Sequence, residues 1–404
     1  MSIEPLPGGV TAPAGFMAAS ARAGLRSGPG PDLALLISGR GPVPAAATFT
    51  RNRLRAAPVE VSMRSLRASG GRAAAVIANA GCANAGTGPD GLDDARAVQA
   101  MVAGRSGVAG RHVMVASTGL IGSRLDVGRI GAALDRLQPA PTLRAGREAA
   151  SAIMTTDTRR KEAAVEVQLD RRAAVRIGGM AKGSGMIHPQ MGTMLAFLAT
   201  DATIEPELLR VVLREAVEVT FNQVTVDGDS STNDTVLVLA NGAAGGRPLT
   251  DGAAFERFRA GVGAVCRSLA EQIAADGEGA TRRIDVTVSG ARDDREARAA
   301  ARTVAGSSLV KTAVHGGDPN WGRIGAAAGR AGVAFDPARL AVRIGPVVVY
   351  DGRPVAFDER AASRELRRRV VNIGLDLGIG GGTGMAWGCD LSAAYVEINS
   401  EYRT

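Results

Sequence analysis

Hydrophobic and polar residues alternate along the chain with two different periods, which predicts a succession of strands and helices. Short apolar or alternating runs predict strands over 32–38, 72–80, 112–117, 163–169, 173–179, 194–199, 234–242, 283–291, 340–345 and 347–352. Longer amphipathic segments predict helices over 91–104, 126–138, 142–154, 205–224, 253–275, 293–305 and 360–374. The apolar run 393–398 is expected to hold the end of the chain in place as a strand.

Some of the predicted strands follow each other directly and predict hairpins, as at the charged turn "DRR" that joins 163–169 to 173–179. Hairpins interrupt the strict strand–helix alternation that a parallel barrel requires. The sequence therefore predicts the α/β (α+β) class, with layered mixed sheets packed against helices. A length of 404 residues exceeds what one hydrophobic core usually supports, so we expect two packed domains.

Composition and charge narrow the class of protein further. The formal charge is +8, but the arginines are scattered and aromatic residues make up only 3%, which disfavours a nucleic-acid-binding surface. The sequence contains no apolar run long enough to cross a membrane, and its beginning, "MSIEPLPGGVTAPAGF", does not match a signal peptide. The three cysteines are far apart and form no CxxC pair. These features predict a cytoplasmic protein that contains neither disulfides nor a metal.

Common cofactor and hydrolase motifs do not fit the sequence. The stretch "GIGGGTG", 378–384, has Thr383 where a dinucleotide fingerprint needs its third glycine, and P-loop and GxSxG patterns are absent. The stretch "DGDSSTND", 227–234, resembles a calcium loop but has Thr232 at the position of the turn glycine and Val238 at that of the bidentate glutamate. It is better explained as a polar turn that lines a site. The three histidines are widely spaced and are interpreted as structural.

A glycine and a threonine precede the apolar run 194–199, and this pair has a chemical interpretation. Scission between Gly192 and Thr193 would give Thr193 a free α-amine with a pKa of roughly 7.7–8.0, able to act as a base for its own hydroxyl. The same hydroxyl could cut the chain by attacking the Gly192 carbonyl, since glycine tolerates strained backbone. The alternative is an ordinary threonine at the start of a strand.

A second stretch, "VASTGLIG", 115–122, places Thr118 and Gly119 where a strand is predicted to end. The Thr118 hydroxyl and a backbone N–H at that point could together receive a developing oxyanion, which is often the largest single contribution to acyl transfer. An ordinary turn at a strand end explains the pattern equally well.

Ordered blocks along nearly the whole chain resemble the glutamate N-acetyltransferase family, also called ornithine acetyltransferase, of arginine biosynthesis. The blocks are "TRNRLRAAPV" (50–59), "NAGCANAGTG" (79–88), "STGLIG" (117–122), "MTTDTRRKEA" (154–163), "KGSGMIHPQMGTMLAFLATDA" (182–202), "DGEGATR" (276–282), "KTAVHGGDPNWGRI" (311–324) and "YVEINSEYRT" (395–404). The resemblance implies transfer of the acetyl group of N-acetyl-L-ornithine to L-glutamate through an acetyl-threonine intermediate, without a metal or prosthetic group. In some members acetyl-CoA is a further acetyl donor.

The resemblance also implies self-cleavage between Gly192 and Thr193, which would give an alpha chain, 1–192, and a beta chain, 193–404. Two copies of each would form a heterotetramer. Thr193 would be the nucleophile, and Thr118 and Gly119 the oxyanion hole. The substrate contacts carried over by motif, in addition to Thr193, are Thr156 (with Thr155 as the alternative), Lys182, Glu278, Asn399 and Thr404.

The sequence departs from the family pattern in two places. Gly192 stands where alanine is more frequent before the threonine, and Ala80 and Cys82 stand where serine and asparagine are frequent. The first change bears on the efficiency of scission and the second on local hydrogen bonding. The main rival interpretation is a related self-cleaving amidohydrolase or aminopeptidase, which would use the same threonine but pass the acyl group to water.

Overall fold

The computed structural model describes residues 2–188 and 194–401, which form sixteen strands and eleven α-helices. The strands are β1 (Ile3–Leu6), β2 (Phe16–Ala21), β3 (Leu33–Ser38), β4 (Val43–Phe49), β5 (Arg72–Ala73), β6 (Ala75–Cys82), β7 (Val113–Leu120), β8 (Lys161–Gln168), β9 (Ala174–Lys182), β10 (Leu195–Thr200), β11 (Thr235–Ala240), β12 (Arg283–Ala291), β13 (Ala341–Ile344), β14 (Val347–Asp351), β15 (Val370–Asp376) and β16 (Gly382–Cys389).

The helices are α1 (Ala57–Ala68), α2 (Gly88–Ser106), α3 (Val127–Leu134), α4 (Leu143–Ala152), α5 (Pro206–Val219), α6 (Gly252–Ala274), α7 (Asp294–Ala305), α8 (Ser308–Gly316), α9 (Trp321–Gly329), α10 (Glu359–Leu366) and α11 (Ala393–Glu401). Short 3-10 turns lie at Gly110–His112, Phe221–Gln223 and Pro337–Arg339. No helix among the described residues is long and apolar enough to cross a membrane.

The largest sheet has seven strands in the order β1-β8-β9-β10-β11-β4-β5. Its central strand β10 pairs antiparallel with β9 and parallel with β11, so residues before and after the predicted cut belong to one sheet. All six residues of β10 are buried, because α5 and α6 cover one face and a second sheet covers the other. A continuous apolar run is what such a doubly covered strand requires.

The second sheet has four strands in the order β2-β3-β6-β7. One of its faces packs on the seven-stranded sheet in a shared core that includes Phe16, Leu36 and Phe197. Helices α1, α2 and α3 cover its other face, and α4 packs on β2 and β3. The result is a helix–sheet–sheet–helix sandwich, in agreement with the predicted layered α/β class.

The third sheet has five strands in the order β14-β13-β15-β12-β16 and forms a separate core with α7 to α10. Strand β12 is parallel to β15 and antiparallel to β16, which makes this sheet mixed as well. It joins the sandwich through β16, whose Trp387 and Cys389 lie in the same core as α6. The antiparallel hairpin β8–β9 was predicted from "DRR" and is confirmed.

Two predicted elements were wrong. The predicted helix 360–374 ends at Leu366, and β15 follows from Val370. Burial in β15 alternates, with Val371, Ile373 and Leu375 inside. This period of two is that of a strand, and it overrides the helical pattern that the prediction extended across the three arginines at 367–369. The run 393–398, predicted as a strand, is part of helix α11. Helices α1, α8 and α9 and strands β1, β2, β4 and β16 were not predicted at all.

Candidate active site

One polar pocket collects residues from seven separate parts of the chain. They lie directly after β6, at the end of β7, in the loop before β8, at and just after the end of β9, in the turn before β11, in the loop after α6, and in α11. The lining residues are Ala83, Thr118, Gly119, Ile121, Thr155, Thr156, Lys182, Gly185, Met186, Ser231, Thr232, Asn233, Glu278 and Asn399. Every predicted site residue that the structure describes is among them. Gly192, Thr193 and Thr404 lie outside the described residues.

A close approach of two strands shapes the backbone at Thr118 and Gly119. Gly119 has φ +129° and pairs across the sheet with Gly81, which has φ +106°. A Cβ on Gly119 would lie 2.7 Å from the backbone nitrogen of Cys82, so only glycine fits. Strand β7 continues to Leu120, one residue beyond its predicted end at Thr118 and Gly119, and its partner strand has a bulge there. The bulge, and not a strand end, gives this segment its irregular backbone.

We expect Gly119→Ala to destabilise the fold by about 2–5 kcal/mol, because it adds a strained positive φ and a clash with backbone. Urea unfolding of the variant and the parent protein would measure this loss. Gly122→Ala is the matched control: it also has positive φ, +87°, but nothing lies within 4 Å of the added Cβ. That variant should lose only about 1–2 kcal/mol. Equal losses in the two variants would contradict the close-approach explanation.

The polar turn 227–234 lines the pocket, as predicted, and is fastened to β7 by Asn233. The Asn233 Nδ2 group donates to the carbonyl oxygens of Ala83 (2.7 Å) and Ser117 (2.8 Å). The Asn233 carboxamide oxygen accepts a hydrogen bond from the Thr232 hydroxyl. Because Asn233 bridges two segments beside Thr118, it fixes the distance between the turn and the predicted oxyanion hole.

The described chain resumes at Met194 next to this turn. The Met194 N–H donates to Asp234 Oδ1 at 2.9 Å, and its carbonyl accepts from the Thr235 N–H at 3.1 Å. The following residue, Leu195, is paired with Lys182 on β9 and with Thr235 on β11. The start of β10 is therefore anchored on both sides at the edge of the pocket.

A buried chain of charges lies behind Lys182, whose side chain is only 2% exposed. Lys182 Nζ lies 3.9 Å from Asp157 Oδ2, and Asp157 Oδ1 lies 2.6 Å from Lys161 Nζ. Lys161 is completely buried, and its Nζ also lies 2.6 Å from Asp276 Oδ2. Burial lowers the pKa of Lys182, while the carboxylates of Asp157, Glu278 and Asp234 oppose that shift.

Burial by itself would raise the pKa of Asp157, but the ammonium groups of Lys182 and Lys161, together with the Gly183 N–H, lower it to about 2. Asp157 is therefore ionised at neutral pH and pairs with two lysines, Lys182 in the pocket lining and Lys161 behind it. Sequence reasoning missed Asp157 as a site residue, although it lies within the quoted block "MTTDTRRKEA". The available signal was its position directly after Thr156, a predicted substrate contact.

We expect the stability that Asp157 contributes to disappear in acid. Its folded pKa, about 2, lies below the usual aspartate value of 3.8, so the contribution is present above pH 3.8 and is lost as the pH falls towards 2. The shift corresponds to about 2 kcal/mol. The difference in unfolding free energy between the parent protein and Asp157→Asn should therefore shrink by about that amount between pH 6 and pH 2. Asp93→Asn, at an exposed position, serves as the control, and a difference that stays constant with pH would contradict the assignment.

Glu278 and Asn399 meet at the opposite side of the pocket. Asn399 Nδ2 donates to Glu278 Oε2 at 2.9 Å, and the Glu278 N–H donates to the Ser184 carbonyl at 2.9 Å. Gly185 lies directly against the Glu278 carboxylate, where a Cβ would overlap it. Helix α11 thus brings Asn399 to the site, and the glycine lets the backbone approach Glu278.

Thr155 and Thr156 both line the pocket. The Thr156 hydroxyl lies 2.6 Å from the Ser184 hydroxyl, and the Thr155 N–H donates to Asp157 at 3.0 Å. The Cys82 thiol, at one of the departures from the family pattern, donates to the Ser123 carbonyl at 3.2 Å, behind the pocket. The three histidines do not line the pocket, and two of them bond to the side chains of Thr225 and Asp390.

The layered fold and the pocket define an α/β enzyme with a small polar site beside the start of a buried strand. The sequence model described as ArgJ family matches residues 17–404, and the chain belongs to that family. It is 48% identical over 398 residues to the arginine biosynthesis bifunctional protein ArgJ of Parasynechococcus marenigrum, covering 98% of this chain and 96% of the relative. It is also 48% identical over 405 residues to the protein of that name from Symbiobacterium thermophilum, covering 100% of both.

Two solved structures are also similar in sequence. The arginine biosynthesis bifunctional protein of Bacillus halodurans is 44% identical with a TM-score of 0.49, covering 50% of this chain and 96% of that chain. The ornithine acetyltransferase of Mycobacterium tuberculosis, solved in complex with ornithine, is 40% identical with a TM-score of 0.42, covering 46% and 98%.

Proposed function

We propose that this protein is the acetyltransferase of arginine biosynthesis that moves the acetyl group of N-acetyl-L-ornithine to L-glutamate. One observation carries the proposal: Thr118, Gly119, Lys182 and Glu278 converge on a single pocket next to the anchored start of β10. Thr193 is covalently joined to Met194, the residue that is anchored there. The similarity over the whole chain to arginine biosynthesis bifunctional proteins supports an activity in the same pathway.

The proposal includes maturation by self-cleavage between Gly192 and Thr193 into chains 1–192 and 193–404. The two chains would remain together, because β9 and β10 would come from different chains and yet all six residues of β10 pair with β9. Further pairing of β11 with β4 would hold them in the same way. Two copies of each chain would form the proposed cytoplasmic heterotetramer.

In the first half of the reaction, the Thr193 hydroxyl oxygen attacks the acetyl carbonyl carbon and its proton passes to the Thr193 α-amine. The carbonyl oxygen becomes an oxyanion, which the Thr118 hydroxyl and the Gly119 N–H would stabilise. The carbon–nitrogen bond of N-acetylornithine then breaks. The leaving nitrogen of ornithine takes the proton from the Thr193 ammonium, and ornithine leaves. The acetyl group remains as an ester on Thr193.

In the second half, the amine of glutamate attacks the ester carbon and the Thr193 oxygen leaves with a proton. Lys182 offers a cation and Glu278 an anion, the pair of charges needed for the carboxylate and ammonium of an amino acid. Thr156, Asn399 and Thr404 are the further proposed contacts. Acetyl-CoA is proposed only as an alternative acetyl donor, and the steps use no metal or prosthetic group.

Intact mass spectrometry tests the proposal directly. The purified protein should give two chains with a new terminus at Thr193, and incubation with N-acetylornithine should add one acetyl group to the chain 193–404. Labelled acetyl should then appear on glutamate. Release of free acetate at a rate independent of glutamate would support the hydrolase alternative. An uncut chain with full activity would refute the nucleophile assignment.

A further inference from the structure

Lys182 and Glu278 carry opposite charges in one pocket, yet they do not form an ion pair. Both line the pocket and both are buried, with 2% and 9% of their surface exposed. Attraction between opposite charges grows as water is removed, so a buried lysine and glutamate that share a pocket are expected to close onto each other. No ion pair within 4.0 Å joins the two in the part of the chain that the structure describes. Other contacts therefore hold them apart.

The contact on the lysine side is Asp157. Its Oδ2 lies 3.9 Å from Lys182 Nζ. Asp157 cannot follow the lysine into the pocket, because its Oδ1 accepts the Gly183 N–H at 2.7 Å and its Oδ2 accepts the Thr155 N–H at 3.0 Å. A carboxylate that is fastened to two backbone groups is a fixed anchor for the flexible stem of a lysine.

A buried spacer joins the lysine side of the pocket to the glutamate side. The Lys161 Nζ lies 2.6 Å from Asp157 Oδ1 and 2.6 Å from Asp276 Oδ2. Asp276 is two residues before Glu278, and it also accepts the Thr158 N–H at 3.1 Å. Because Lys161 is completely buried and held at both carboxylates, it fixes the distance between the loop before β8 and the loop after α6.

The charges of the pocket do act on each other across the gap. Burial lowers the pKa of Lys182, whereas the carboxylates of Asp157, Glu278 and Asp234 raise it. Glu278 is held on its own side, since its Oε2 accepts from Asn399 Nδ2 at 2.9 Å. Lys182 is therefore the charge that would move if its anchor were removed.

We propose that Asp157 is a positioning residue: it draws Lys182 away from Glu278 and so keeps the two substrate-binding charges apart. Lys161 and Asp276 set the width of the gap. The separated charges leave room for a ligand that has both a carboxylate and an ammonium, as N-acetylornithine does. This inference rests on the proposed function. Without the Asp157 charge, the pocket lysine and glutamate would pair, and a substrate would have to break that pair before binding.

The first test is the crystal structure of mature Asp157→Asn without a ligand. Asparagine has the shape of aspartate and can still accept a backbone N–H, but it has no charge to hold the lysine. Lys182 Nζ should then lie within about 4 Å of the Glu278 carboxylate, the distance of an ion pair. A lysine that stays at its parent position, or that turns to Asp234 instead, overturns the inference.

The second readout is the split between KM and kcat for N-acetylornithine at saturating glutamate. If the closed pair is favoured by about 10–100-fold in Asp157→Asn, KM should rise by about the same factor, because only the open fraction binds substrate. The kcat should stay within about threefold of that of the parent protein, since Thr118 and Gly119 are unchanged once substrate is bound. A merely structural role for Asp157 would disturb the neighbouring Thr155 and Thr156, so a fall in kcat at an unchanged KM overturns the inference.

Asp201→Asn is the matched control. Asp201 is also buried and also accepts two backbone N–H groups, from Arg176 at 2.7 Å and Ala14 at 3.1 Å, but it does not line the pocket. This variant should keep the KM and kcat of the parent protein. All variants are purified as the mature full protein and checked for a cooperative thermal transition. Equal rises in KM for Asp157→Asn and Asp201→Asn overturn the inference.

Asp276→Asn tests the spacer, and it replaces Asp157→Asn if that variant does not fold. Lys161 would then direct its charge to Asp157 alone, which weakens the pull of Asp157 on Lys182. The KM for N-acetylornithine should rise by about 3–10-fold while kcat stays near that of the parent protein. An unchanged KM in the folded variant overturns the inference.

The outcomes separate the two proposals. If N-acetylornithine does not acetylate the parent protein at Thr193, the proposed function fails, while the position of Lys182 in the variant structure still decides whether Asp157 holds the two charges apart. A parent protein that is acetylated normally, together with an Asp157→Asn variant of unchanged KM, refutes this inference alone.

Discussion

Replacing Thr193 with alanine is expected to give a single uncut chain of 41.2 kDa without transferase activity. Alanine has no hydroxyl, so it can neither attack the preceding carbonyl nor accept an acetyl group. Loss of a nucleophile that also generates its own base should reduce kcat by at least about 10⁴-fold. Intact mass spectrometry and a labelled-acetyl transfer assay would measure both effects.

Thr193→Ser is the control for this variant, because serine keeps the hydroxyl and the α-amine. It should still be cut and acetylated, with a rate closer to the parent protein than to Thr193→Ala. The melting temperature of the alanine variant must stay close to that of the parent protein, since the core around β10 is untouched. An alanine variant that matures and turns over normally would remove Thr193 from its proposed role.

Replacing Lys161 with methionine is expected to cost about 3–5 kcal/mol of folding free energy. Lys161 is completely buried, and its Nζ lies 2.6 Å from both Asp157 and Asp276. Methionine fills much of the space but leaves two buried carboxylates without their shared cation. Urea denaturation monitored by circular dichroism would give the loss in free energy.

Two further variants sharpen this prediction. Lys311→Met removes another buried lysine, whose Nζ donates to the neutral carbonyl of Val226, and should cost less. Combining Lys161→Met with Asp276→Asn should recover part of the loss, because one of the orphaned charges is removed as well. A loss for Lys161→Met that is no greater than that for Lys311→Met would show that the buried charges are not what stabilises this region.

Local pattern was sufficient for most elements of the fold. The run 194–199 is apolar at every position because both faces of β10 are covered, and the DRR turn joins a real hairpin. The pattern failed where two periods overlap, as at β15, and where burial is slight. No residue of α11 is buried, so its apolar residues gave no reliable indication of strand or helix.

The site was predicted in a different way, and the difference has a physical cause. The resemblance between sequences pointed to Thr118, Lys182, Glu278 and Asn399, but these residues are far apart along the chain. Asp157 and Asp234 attracted no attention in the sequence, because a lone aspartate is most often a solvated surface group. Only burial and partner distances reveal Asp157 as the carboxylate behind Lys182 and Asp234 as the acceptor of the Met194 N–H.

The sequence alone determined the alternation of strands and helices, the polar turn before β11, and the family to which the chain is similar. These properties depend on side-chain types at short spacing, which the linear order contains. The tertiary structure decided that seven distant segments share one pocket, that glycines at 81 and 119 let two backbones meet, and that three buried charges lie behind Lys182. Contacts between segments that are far apart along the sequence depend on how the layers pack. No local period of the sequence encodes such contacts.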